Sequence, residues 1–278
     1  MTTTPDGPPK SRKPLYLALA AAAIVVIAVA AFITLRGSGD KHRLTVAATQ
    51  VPQAEILEFI KKGQAKDAGL DFDVKVFDDY SLGNRWLSEK DIDANYFQHK
   101  PYLDEQVADF GYKLHSFPGV HIEPYAAFSQ KVTSTDQLPD GARVSITDDG
   151  SNQARALKLL AGKNLVTLPP NGPVNVHTVG NPKNLQFVEA APDLQAKAVP
   201  DVDLAILNGN YFLDAGYTLK DALIVEPLTD NPYANFLVSR EDNADNADIV
   251  KLDEFLHSDQ TRDFIKKRWP GGDVSPAF

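Results

Sequence analysis

Two hydrophobic patterns divide the chain. Residues 15–35 (LYLALAAAAIVVIAVAAFITL) form an apolar run of 21 residues with no charge. As a helix, at about 1.5 Å per residue, such a run spans roughly 30 Å, the thickness of a bilayer core. The small-residue triplet Ala28-Val29-Ala30 offers a signal-peptidase site, but apolar residues continue past it to Leu35, which is long for a signal core. The run therefore predicts an uncleaved transmembrane helix, with residues 1–14 as a cytoplasmic tail and 36–42 as a linker. Basic residues flank it on both sides (Lys10, Arg12, Lys13; Arg36, Lys41, Arg43), so the positive-inside count hardly sets orientation. The short tail is expected inside and the long body outside, a single-pass protein of the cell membrane.

From residue 43 onward, short alternating stretches take turns with stretches of helical period. Strands are predicted at 44–49, 72–77, 92–97 and 113–117, with helices at 52–68, 82–89 and 101–110 between them. Ile56, Leu57 and Ile60 share one face of the first helix, and Gly69 and Gly111 stand where C-caps are wanted. The pattern restarts with strands at 142–147, 186–189, 205–207 and 236–239 and helices at 152–161, 192–199 and 211–215. Two helices, 247–256 and 260–267, close the chain. Repeated strand–helix alternation predicts a mostly parallel sheet covered by helices. Two α/β units of about 100 residues each suit the length better than one oversized sheet. The last helices are expected to return to the first unit.

Composition narrows the function. The formal charge is −9, and residues 1–42 carry five Lys/Arg against two Asp/Glu, so the body is more acidic still. An acidic body argues against nucleic acid as partner. The absence of cysteine excludes disulfides, thiolate metal sites and a cysteine nucleophile. There is no G-x-S-x-G elbow, Walker loop or dinucleotide fingerprint. His99, His115, His121 and His177 lack metal-ligand spacing, so neither a metal nor a cofactor is expected.

The candidate chemistry lies at strand ends. Residues 93–106 (DANYFQHKPYLDEQ) place Phe97, His99 and Tyr102 at a strand-to-helix junction, where open α/β sheets bind ligands. The alternative for His99 is ordinary hydrogen-bonded packing. Residues 148–152 (DDGSN) run from a strand into a helix, with Gly150 for a tight turn, Ser151 as N-cap and Arg155 in the first turn. Free N–H groups near Asn152 and a guanidinium fork make a carboxylate receptor. A surface pair between Arg155 and Asp148 or Asp149 is the equally weighted alternative. Asn208 and Asn210 end one apolar strand and Asn235 precedes another. Their amides can hold an ammonium, or they are turn residues. Tyr80 follows the second strand, as an aromatic wall or a half-buried strand end.

Taken together, FDDY, DIDANYFQHKPYLDEQ, GYKL, DDGSNQARAL, NPKNLQFVE, ILNGNY and NPYANFLVSRED resemble the methionine-binding proteins of bacterial ABC transporters, many of them lipoproteins. The resemblance covers nearly all of residues 43–278, in order. It implies an α/β, two-lobed periplasmic-binding-protein-like fold of type 2, with 43–126 and 236–278 in one lobe and 127–235 in the other. It implies that Tyr80, Phe97, His99 and Tyr102 form the thioether side of a pocket, that Arg155 grips the carboxylate near Asn152, and that Asn208 and Asn235 hold the amino and carboxylate groups. The ligand implied is L-methionine, the partners are a transporter permease and ATPase, and the protein acts as a monomer. An enzyme on the same fold, of the amino-acid dehydratase type, would need an acid or base in the cleft, and only His99 is available. A different small amino acid or a Met-containing peptide is the other alternative. Two departures stand out. The lipobox cysteine is missing, so the 15–35 helix would replace a lipid anchor. Tyr96 and Trp86 also stand where many relatives carry Ala, and either ring would shrink the pocket if it faced the cleft.

Overall fold

The computed structural model describes residues 43–278; the expected tail, anchor and linker lie outside them. Among the described residues no helix is long and apolar enough to cross a membrane. Two sheets organise the body. The first contains β1 (Leu44–Ala48), β2 (Phe72–Val76), β3 (Ala94–His99), β4 (Leu114–Ile122), β10 (Asn235–Arg240) and β11 (Ser275–Pro276) in the order β11-β4-β10-β3-β1-β2. The second contains β5 (Ala126–Phe128), β6 (Arg143–Thr147), β7 (Gln186–Ala190), β8 (Leu204–Leu207) and β9 (Ile224–Val225) in the order β7-β6-β8-β5-β9. The helices are α1 (Glu55–Ile60), α2 (Tyr80–Glu89), α3 (Lys100–Phe110), α4 (Gly150–Ala161), α5 (Pro192–Ala198), α6 (Gly209–Asp214), α7 (Ala247–Leu256) and α8 (Asp259–Arg268).

Neither sheet is mostly parallel, contrary to the expectation from alternation. β1 is parallel to β2 and β3, but β10 is antiparallel to β3 and β4. In the second sheet β6 is parallel to β7 and β8, while β5 is antiparallel to β8 and β9. The reason is the path of the chain. Parallel neighbours are joined by helical crossovers, whereas β5 and β10 are entered from segments that pass between the sheets. The chain makes that passage twice, at residues 123–125 and at 226–234.

Burial explains the first sheet. β3 is buried at all six positions because both its faces are covered. One face, with Leu44, Val46, Ala48, Tyr96 and Leu237, packs on Ile56, Leu57 and Ile60 of α1 and on Ile249, Leu252, Leu256 and Ile265 of the last two helices. The other, with Ala47, Phe97 and Val238, packs on Phe77, Leu87 and Leu103. The expected helix over 52–68 is interrupted. Gly63 leaves helical geometry (φ −109°, ψ −105°), and the regular turn α1 is flanked by wider turns at Gln50–Ala54 and Lys61–Ala65.

Candidate functional site

All eight residues singled out in the sequence line one cavity: Tyr80, Phe97, His99, Tyr102, Asn152, Arg155, Asn208 and Asn235. Gln98, Glu123, Gly209 and Asn210 complete its walls. The cavity lies where the chain passes between the sheets. Local signals position several of these groups. Asp79 caps α2 by accepting from the Ser81 N–H (2.8 Å), so the helix starts at Tyr80 rather than at Leu82. The Tyr80 ring sits 5.5 Å from Phe97 and 5.7 Å from Tyr102, with Tyr211 5.0 Å away on the other side. This wall of rings suits an apolar, polarisable group.

His99 is the N-cap of α3. Its Nδ1 accepts the Tyr102 backbone N–H (3.3 Å), which places the ring proton on Nε2, directed at Asn152 Oδ1 (3.0 Å). Burial, and then the charge of Arg155, push its pKa down to about 3 against the opposing Asn152 bond. The ring is neutral and both its nitrogens are engaged.

The start of α4 differs from expectation. Asp149, not Ser151, is the N-cap, accepting from the Asn152 N–H (2.9 Å) and from Thr147 Oγ1 (2.6 Å). Burial raises its pKa while these bonds oppose the rise. The Ser151 N–H donates to Glu105 Oε2 of α3 (2.9 Å), so a carboxylate from the facing helix occupies the end of α4. Gly150 serves that approach rather than a tight turn, since an added Cβ would fall 2.4 Å from Glu105 Oε1. Asn152 is engaged at both ends of its amide. Its Nδ2 donates to Asp149 Oδ1 (2.9 Å), and its Oδ1 receives His99 Nε2 and Asn208 Nδ2 (3.0 Å each).

Arg155 is not paired with Asp148 or Asp149. It is 4% exposed, and its Nε and Nη2 fork onto Glu226 (2.9 and 2.6 Å). Nη2 also donates to the Glu123 carbonyl (3.0 Å), and the guanidinium lies 4.0 Å from the Tyr233 ring centre and 4.9 Å from that of Tyr125. Every one of these partners sits on the two passages between the sheets. Removing one half of a buried pair typically costs about 3–5 kcal/mol, so Arg155 holds the fold as well as the cavity. Its Nη1 makes none of these bonds and remains available.

Asn210 Oδ1 accepts from the Tyr80 hydroxyl (2.5 Å), and the Tyr211 hydroxyl donates to the Asp78 carbonyl. These contacts bring the two sides together around a space with about 10 Å³ of room for a water's centre, which holds about one water. Asn235 Oδ1 accepts from Gln53 Nε2 (3.1 Å), which also donates to Glu123 Oε1 (2.6 Å).

Tyr96 and Trp86 do not line the cavity. Tyr96 is fully buried in the first core, its hydroxyl bonded to His121 Nδ1. Trp86 lies edge-on to Phe77 (5.7 Å) with Lys75 Nζ 3.6 Å above its ring centre. Glu123, Glu226, Tyr233 and Gln53 were not legible as site residues in the sequence. One signal was present: Glu123-Pro124 and Glu226-Pro227 are the two Glu-Pro steps at the passages, and a residue before proline is held extended.

Comparison with known proteins adds the following. The profile of the NlpA lipoprotein family matches residues 44–278. The methionine-binding lipoprotein MetQ of Bacillus subtilis (strain 168) is 39% identical over 243 residues, 83% of this chain and 87% of the relative. Among solved structures, a lipoprotein from Actinomyces odontolyticus superposes with a TM-score of 0.83 at 42% identity, covering 85% of this chain and 99% of that one. A nutrient binding protein from Burkholderia cenocepacia, bound to methionine, superposes with a TM-score of 0.81 at 34% identity, covering 84% and 100%.

Proposed function

The chain belongs to the NlpA lipoprotein family, and on that premise we propose that it is an extracytoplasmic solute-binding protein that captures methionine and delivers it to the permease and ATPase of an ABC importer. The observation that carries this reading is the set of groups left unpaired in the cavity once its internal hydrogen bonds are assigned. Arg155 Nη1 and Asn235 Nδ2 are donors for a carboxylate, and Asn208 Oδ1 is an acceptor for an ammonium. The rings of Tyr80, Phe97 and Tyr102 suit a thioether. The methionine bound to the Burkholderia relative supports the same ligand, and L-methionine is the form we assign.

The role is binding, not catalysis. The family is one of binding lipoproteins, and His99, the one candidate acid or base, has both ring nitrogens engaged. We read the two sheets as the two lobes of a type 2 binding-protein fold, which part and close at residues 123–125 and 226–234. The relatives are named lipoproteins, yet this chain has no cysteine to carry a lipid thioether. We therefore assign the tether to residues 15–35, with the body outside the cell membrane.

Thermal unfolding of ligand-stripped protein tests the ligand. A solute that binds only the folded state stabilises it by about 2.7 kcal/mol at a hundredfold excess over Kd. L-methionine should raise Tm, while alanine and glutamate leave it in place. No shift with millimolar methionine would overturn the assignment.

A further inference from the structure

We propose that Glu123 is the receptor for the ligand's ammonium group, so that the site selects methionine carrying a free amine; this rests on the methionine-binding reading. Glu123 lines the cavity and is buried. Its Oε1 takes two hydrogen bonds, from Gln53 Nε2 (2.6 Å) and His121 Nε2 (2.7 Å). Its Oε2 makes none. That oxygen lies against Gly209, another cavity residue, where an added Cβ would come within 2.5 Å of it. Among the described residues the fully buried side-chain atoms without a partner are elsewhere, on Tyr125, Asn243 and Asp253, so Oε2 keeps contact with the cavity space.

The network behind Glu123 fixes its chemistry. Tyr96 keeps its hydroxyl proton, because burial, and then the charges of Glu123 and Asp253, raise its pKa. The hydroxyl donates to His121 Nδ1, so the imidazole proton sits on Nε2 and points at Glu123. Gln53 is held from its other end by the Thr49 hydroxyl (2.6 Å). The carboxylate is thus held by two side chains, Gln53 and His121, each fixed in turn by another, and among the described residues no lysine or arginine pairs with it. Arg155, the nearest guanidinium, forks onto Glu226 and touches Glu123 only at its backbone carbonyl. A buried carboxylate hydrogen-bonded on only one oxygen attracts a cation to the other. An ammonium placed there also meets Asn208 Oδ1. The ligand's carboxylate, borne on the same carbon as the ammonium, is left to the donors Arg155 Nη1 and Asn235 Nδ2 of the same cavity.

Titration calorimetry on the full-length chain in detergent tests this with three ligands: L-methionine, its hydroxy analogue, in which a hydroxyl replaces the ammonium, and N-acetylmethionine. The wild type should bind methionine at least about thirtyfold more tightly than either analogue, the scale of loss when one half of a buried charge pair is removed. Glu123→Gln keeps the shape and the acceptor for His121. It should lose about thirtyfold or more for methionine and little for the hydroxy analogue. A merely structural role would weaken both ligands alike, and that result overturns the proposal. So does equal wild-type affinity for methionine and its hydroxy analogue, a comparison that needs no variant to fold. Failure of the wild type to bind methionine at all would bring down the proposed function and this inference together.

Discussion

At neutral pH the His99 ring carries no charge, since burial and then Arg155 bring its pKa down to about 3. That has a measurable consequence for stability. Between pH 6.5, the ordinary value, and about 3, the unfolded chain takes up a proton that the folded chain refuses. Stability therefore falls as pH falls through that window, by about 1.4 kcal/mol per unit for this group, and is unaffected by it above pH 6.5. His257 acts in the opposite sense: burial lowers its pKa, but bonds and charge from Asp253 raise it overall. Urea unfolding at pH 7 and 5.5, on wild type and His99→Gln, isolates the first effect. The wild type should lose about 1.4 kcal/mol more than the variant; equal losses would show that His99 protonates freely in the fold. Residues such as His99, Phe97 and Tyr102 were legible in the sequence because a strand end and the helix beside it place them locally. Glu226 and Glu123 were not, because their partners Arg155 and Gln53 lie 71 and 70 residues away.

Among the elements, α2 shows packing competing with propensity. Gly83 sits in its interior, where alanine would favour the helix by about 1 kcal/mol. An added Cβ, however, would fall 2.6 Å from Phe97 Cε1 and 2.9 Å from Phe77 Cζ. Overpacking of this kind typically costs about 1–3 kcal/mol, so Gly83→Ala should be a net loss, and the displaced Phe97 should weaken solute binding as well. A variant with a higher urea midpoint than the wild type would refute the tight contact. The longer elements were readable from period and caps: Leu103 on α3 and Ile56 on α1 are buried as their spacing required. The break at Gly63 and the strands β5, β9 and β11, of three, two and two residues, were not. Alternation over so few residues carries no periodic signal, and those strands exist because of the neighbours that pair with them.

At the scale of the whole molecule, the assignment of residues 15–35 as a tether can be tested apart from binding. If residues 15–35 hold the protein in the bilayer, the full-length chain should stay in the membrane fraction through high-salt and carbonate washing, with its N-terminal residues intact. A soluble mature protein beginning near Ala31 would show instead that the run is a removed signal. High salt alone should release nothing, because the attachment is apolar and salt screens only charge.

The longer strands and helices, the apolar 15–35 run, the absence of cysteine and most of the residues that line the cavity were already fixed in the sequence. Those follow from local chemistry: period, caps and the geometry of strand-to-helix junctions. Tertiary structure alone decided strand direction, the double passage between sheets, the capture of Arg155 by Glu226 and the support of Glu123 by His121 and Gln53. Each of these is a pairing between distant positions. No local pattern selects the partner; burial does, by making an unpaired charge or strand edge too costly to leave.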